Sequence, residues 1–565
     1  MNARPPCLLL IAVFARLAVA AGPDAFVVTP EWAAANGHVP VHPYDSWATA
    51  ATNINDCVDL GAWRNAAYVT IHVAPGHYHL SETITNIVQK PFFLRSDNGF
   101  PNGIGDTDRD GTVLDGMGGR RILLADHYSG DPENWWQSWI KVQGFTLTNG
   151  CAASGAGGAV NMTGSHTNSA SVKQGFVEPS CLVDCRLAGN VAKTGNGGAV
   201  KTRSLVLRDC ELVGNTALSG SGGAVYFETL KVTAGRFSPA DLGHVPGLAG
   251  CVLSNNVCKM QGGAVFSYGS IAGGAAVVSD SRFENNRATS SDNGGTAIAF
   301  SGPSGFESVD CGGGVYGCAF KGESNSSARR GLLYCRGGNI TVDGCVFRDV
   351  GLLDGRGIVY SENAKTVVSN SRFLDCNGPA LHGVGTLRQC LVAGGYGDGV
   401  RLVGESSVEA CTIVGRLAQG SRVKVAPAIL VPPMKLVGST DVDIAAAVSV
   451  SVTNCVFWGN ATIGLLDHTD GGLARFALGR SCMEGWTAAD GGEGMTAADP
   501  RFADAANGDY APRWNSPCVD TGAVLAWMDG ATTDLAGNPR VKFQAPDMGA
   551  FESQATPPST VMCFR

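Results

Sequence analysis

One short pattern recurs along the chain and constrains its fold more than any other feature. A small residue is followed by x-apolar-x-x and then, five places on, by Asn. It reads Gly144…Asn149, Cys185…Asn190, Cys210…Asn215, Cys251…Asn256, Ser281…Asn286 and Cys455…Asn460. Copies without the Asn start at Cys318, Cys345, Ser371, Cys390, Cys411 and Cys482. Starts fall as close as 19 residues (Ser371 to Cys390) and as far apart as 44 (Cys411 to Cys455). A short unit with inserted loops fits one coil of a parallel β-solenoid. In Leu205-Val-Leu207 the odd positions are apolar, and by Cys210-Glu-Leu212 the phase has moved by one residue. A period of two that slips by one means two strands with a bend between them. A β-propeller blade needs about 40 residues, and leucine-rich repeats need L-x-x-L-x-L, which is absent.

Composition agrees. Glycine is 77 of 565 residues, charged residues are 16% and hydrophobic residues 44%. That excludes a disordered chain and a coiled coil. The net charge of −8 argues against a nucleic-acid partner. The expectation is an all-β chain: a single right-handed parallel β-helix of about a dozen or more coils, with a short amino-terminal cap.

The repeat positions have structural readings. Gly-Gly-Ala-Val recurs at Gly157–Val160, Gly197–Val200, Gly222–Val225 and Gly262–Val265, where glycines serve positive φ or close approach of coils. The Asn of each unit suits a left-handed corner, and stacked copies would share amide hydrogen bonds. The cysteines share their slot with Ser and Gly, so a buried thiol row is expected, with a few disulfides among neighbours such as Cys181/Cys185 or Cys251/Cys258. No Cys-x-x-Cys or His-x-x-x-His spacing suggests zinc.

Two elements outside the repeat suggest binding chemistry. Asp106, Asp108 and Asp110, followed by Gly111, resemble the first half of a calcium loop. Position twelve is Met117 rather than Glu, so the site is partial, with Asp115 as a further ligand; the alternative is a solvated acidic turn. Trp135, Trp136 and Trp139, flanked by Asn134 and Gln137, form a dense aromatic cluster fit to stack on sugar rings, or else to pack over a coil. Met1–Ala21 reads as an export signal, with an apolar Leu8–Ala20 run and an Ala18-Val19-Ala20 cleavage pattern.

The opening strands, Tyr68–Tyr78, Phe92–Leu94 and Thr112–Gly116, resemble those of secreted β-helix proteins of the pectate-lyase-like superfamily. Trp47, Ala48 and Ile54 fit a short cap helix before them. The series Ala498–Phe502, Gly508–Tyr510, Asn515–Gly522, Asp534–Arg540 and Asp547–Glu552 resembles the carboxyl-terminal region of choice-of-anchor Q proteins. No apolar anchor follows in Ser553–Arg565. The middle repeats resemble those of chlamydial polymorphic outer-membrane proteins, without their barrel. These resemblances imply an order of signal peptide (1–21), segment and cap (22–66), β-helix (67–490), terminal coils and cap (491–552) and tail (553–565).

The repeat pattern, the export signal and the missing catalytic set lead to the expectation of an exported or cell-surface, non-catalytic monomer that binds polysaccharide or cell-envelope glycan, with no transmembrane segment once the signal is removed. The alternative is a polysaccharide lyase or glycoside hydrolase. Of the polygalacturonase pattern, only Leu381-His382-Gly383 and Arg422-Val-Lys424 have counterparts, and the paired acids are missing. Asp520, Asp534 and Asp547 read as turn formers.

Overall fold

The computed structural model describes residues 23–58, 68–85, 92–125, 140–162, 180–203, 205–228, 246–269, 276–290, 294–301, 313–322, 324–325, 331–352, 357–402, 404–417, 429–431, 448–461, 465–467, 474–530 and 532–554. Nearly every strand pairs in parallel with the equivalent strand of the next coil. One coil, as in Ile140–Gln143, Thr146–Thr148, Cys151–Ala152 and Val160–Met162, contributes to a first, a second, a minor and a third ladder in that order. The second ladder is a 14-stranded parallel sheet. The first and third merge into one 26-stranded sheet through the continuous strands Leu333–Asp343 and Val359–Ser369. This is a single parallel β-solenoid. No helix among the described residues is long and apolar enough to cross a membrane.

The phase slip has a local cause. Asp184 and Asp209 sit between first- and second-ladder strands at φ 48° and 52°. One left-handed residue turns the chain and exchanges its two faces. Inside, the second ladder stacks Leu147, Leu187, Leu212 and Leu253, then continues as Phe283, Phe320, Phe347 and Phe373. Successive rings of that phenylalanine run lie 4.6–4.8 Å apart and nearly parallel, at the strand spacing.

The asparagine row forms as a ladder of amides, but not at the corner. Asn190, Asn215, Asn256 and Asn286 are buried, and each Nδ2 of the first three donates to the next Oδ1 at 2.9–3.0 Å. The left-handed residue is the one before: Gly189, Gly214, Asn255 and Asn285. In the first copy the register shifts by one. Phe145 fills the inward slot and Gly150, whose N–H donates to Asn190 Oδ1, takes the Asn place, while Asn149 turns the corner. Likewise Ser481, not Cys482, continues the small-residue row, its Oγ accepting from Cys455 N–H. Further along, Arg416 occupies the Asn position and is fully buried. Its guanidinium donates to the carbonyls of Gly397, Cys376, Gly378 and Tyr396, and burial pulls its pKa down to about 10.

The cysteines in the row are buried, and the described cysteines, Cys181, Cys185, Cys251 and Cys258 among them, form no disulfide. The expected disulfides are therefore absent among the described residues. Each row thiol instead donates to the carbonyl two residues before it, as Cys185 Sγ does to Val183 at 3.3 Å.

The two glycines of each Gly-Gly-Ala do different things. Gly222 has φ 70°, whereas a Cβ on Gly223 would lie 1.9 Å from the Gly263 carbonyl oxygen of the next coil. Gly223→Ala is expected to cost about 3 kcal/mol, the upper end for overpacking. Gly214→Ala, which meets nothing within 4 Å at φ 62°, is expected to cost only about 1–2 kcal/mol of backbone strain. Denaturant midpoints of the two variants measure the difference.

At the amino end, Asp24–Val27 pairs with Val69–Val73. A helix at Pro30–Asn36 is capped by Thr29, and a second, short one spans Ile54–Val58. Trp47 lies outside both and packs on Phe26 and Phe100. At the other end, bridges at Gly479/Glu493 and Cys482/Thr496 extend the stack. The chain then folds back along the outside of the second ladder, where Leu535, Ala550 and Phe551 pack on Leu391, Ala393 and Val414.

Candidate functional face

The third ladder follows each Gly-Gly-Ala-Val. Its period of two points the residue after Val outward, and parallel pairing aligns these residues across coils. The aligned row runs Asn161, Lys201, Tyr226, Phe266, Ala299, Tyr334, Tyr360, His382, Arg401. Tyr226 stacks on Phe266 at 5.2 Å between centroids, Tyr334 on Tyr360 at 6.0 Å, and His382 meets Tyr360 edge-on at 5.0 Å. Tyr334 and Ala299 are fully buried, while Tyr226, Tyr360 and His382 are part-exposed.

Two residues further along each strand a polar row runs beside the rings. Glu228 bonds Arg203 Nε at 3.0 Å and Lys201 Nζ at 3.4 Å. Tyr268 is exposed. Tyr334 donates its hydroxyl to Glu362 at 2.5 Å. Burial, with Glu228 nearby, pushes Tyr226 up to about 12. Arg401 pairs with the buried carboxylate of Asp398.

This face offers ring surfaces flanked by hydrogen-bonding and charged groups. Among the described residues, the two glutamates of this polar row are too far apart to act as a hydrolytic acid pair. Glu228 and Glu362 lie four rungs apart, about 19 Å at strand spacing. Flanking carboxylates that cleave a glycosidic bond stand about 5–9.5 Å apart.

The structure does not draw Asp106, Asp108 and Asp110 together. Asp108 Oδ1 accepts Gly111 N–H at 2.8 Å and closes its own turn, and Asp110 faces Arg109 at 3.5 Å. Among the described residues, the group of three ligating side chains that meets is His77, His79 and Asp115. Of these only Asp115 was expected to ligate. The legible signal was His77-Tyr78-His79: alternate residues of one strand share a face. Trp135, Trp136 and Trp139 lie outside the described residues, as do Arg422 and Lys424. The sequence reading missed the tyrosine row, because its members are 20 to 40 residues apart and aligned only by register.

No protein-family model and no curated protein matches the chain. Similar solved structures include tailspike protein 3 of bacteriophage CBA120 (8% identity, 80% of this chain, TM-score 0.39); this chain spans 63% of that one's length. They also include pectate lyase Pel9A (12% identity, 95% of this chain and 98% of that one, TM-score 0.28). A third is the catalytic domain of a GH87 alpha-1,3-glucanase in complex with nigerose (8% identity, 78% and 67%, TM-score 0.30).

Proposed function

We propose that the chain is an exported or cell-surface β-solenoid that binds an extended glycan along the outer face of the third ladder without cleaving it. The in-register row from Tyr226 to His382, with Lys201, Arg203 and Glu228 beside it, supports this reading. Part-exposed rings stack on sugar faces, and the adjacent charges reach hydroxyls or uronate carboxylates. A solenoid repeats these contacts at a fixed spacing, which suits a polymer.

The test is a binding screen of the purified protein against uronate and neutral polysaccharides, with ultraviolet and reducing-end assays run in parallel. A ligand is expected, with Tyr226→Ala and Tyr360→Ala each weakening it roughly 2- to 12-fold, the worth of one aromatic stack. Binding unchanged in the double variant would move the site off this face. Turnover of any polymer would replace binding by catalysis.

A further inference from the structure

We propose that His77, His79 and Asp115 form a site for a divalent transition-metal ion of the zinc class, on a different ladder from the glycan face. One ligand atom from each of the three lies within 4.8 Å of the others. The placement follows from the fold. His77 and His79 are alternate residues of the second-ladder strand Gly76–His79, so both rings stand outward, with centroids 4.3 Å apart. Asp115 ends the neighbouring strand Thr112–Asp115 in register with His79. Its carboxylate accepts His77 Nε2 at 3.0 Å.

The carboxylate is held in place from behind. Asp115 Oδ1 accepts Met117 N–H at 2.7 Å and Asn149 Nδ2 at 3.1 Å. Its side chain is 8% exposed, against 49% for His77. A carboxylate held this way, with two exposed and stacked imidazoles beside it, presents three ligands on one outer face, and His79 Nδ1 also meets Met117 Sδ at 3.1 Å. Two imidazoles and one carboxylate suit zinc or its neighbours, and calcium prefers six to eight oxygens. Three protein ligands leave a fourth position open to solvent.

The test is titration of the full chain, with any affinity tag removed, by Zn2+ alone, and by Co2+ for its tetrahedral absorption band. His77→Gln, His79→Gln and the double variant run alongside. Both rings are exposed on the surface, so these variants are expected to fold, and circular dichroism checks this. The expected result is one equivalent of Zn2+ bound, a raised thermal midpoint, and at least a tenfold loss of affinity in either single variant. A cobalt band that survives in the double variant would assign the metal to the thiols and overturn the proposal. So would absence of stoichiometric binding, or Ca2+ competing at equal concentration. None of these outcomes depends on glycan binding, so the two readings fail separately.

Discussion

Replacing Arg540 by methionine is expected to detach the carboxyl-terminal block from the solenoid, at a cost of about 3–5 kcal/mol, the scale for removing one partner of a buried ion cluster. Arg540 is 1% exposed and lies among Asp534, Asp547 and Glu552, all buried. Nη1 is 3.1 Å from Glu552, and Nη2 donates to the carbonyls of Asp547 and Gly549 at 2.9 and 2.8 Å. The acids have structural work of their own. Asp534 accepts the N–H groups of Ala536, Asn538 and Glu552, and Asp547 accepts those of Asp520 and Ser553. Without the guanidinium, three carboxyl groups would share a dry pocket with no cation to favour their ionised forms. Limited proteolysis between residues 498 and 554 should rise sharply in Arg540→Met while the coils stay resistant.

The same cluster makes the block pH-sensitive. Burial, with Asp547 adding and Arg540 opposing, raises Glu552 to about 8, and burial raises Asp547 as well. A carboxyl whose folded pKa lies above its unfolded value binds its proton more tightly when folded. Its contribution is complete below the unfolded value, near 4.5, and fades as pH climbs through about 8. The block is therefore expected to resist proteolysis better at pH 6 than at pH 9. The opposite trend would show that the Arg540 charge outweighs desolvation.

Asn215→Ala carries the second large effect. One amide makes four buried hydrogen bonds: Nδ2 donates to Leu187 O and Asn256 Oδ1, and Oδ1 accepts both Nδ2 and backbone N–H of Asn190. Truncation strands two donors of Asn190, each costing about 1–3 kcal/mol, so a loss of about 2–6 kcal/mol is expected. Hydrogen exchange gives the sharper readout. The Asn190 amide should lose its protection first, with the effect spreading to adjacent coils because each coil leans on its neighbours. Equal protection at Asn190 in variant and parent would show that the ladder's amides are not its joints.

Much of the C-terminal motif becomes intelligible in these terms. In the sequence, Asp534 and Asp547 read as turn formers, and Arg540 and Glu552 only as the ends of two segments of one series. They are four members of one ionic core, brought together by a fold-back onto Leu391, Ala393 and Val414. Asp534 does form a turn, as its sequence context suggested, and also holds the Glu552 N–H.

What the sequence determined by itself was the solenoid. A period of two, a one-residue slip, a small-residue slot and an Asn row are all local signals, and each has a local physical cause that survives without knowledge of neighbours. The same locality explains the misplaced details: Gly144 for Phe145, Cys482 for Ser481, and Asn rather than its predecessor at the left-handed corner. Such one-residue errors hide within a degenerate repeat. The tertiary structure alone decided which residues meet across coils. His79 and Asp115 are 36 positions apart and Tyr226 and Phe266 are 40, yet each pair sits in one ladder register. Of the aspartates that the sequence offered as a site, Asp108 closes its own turn on Gly111 and Asp110 faces Arg109. In a solenoid, spatial neighbours differ by the length of a coil, and loops of unequal length change that distance at every turn.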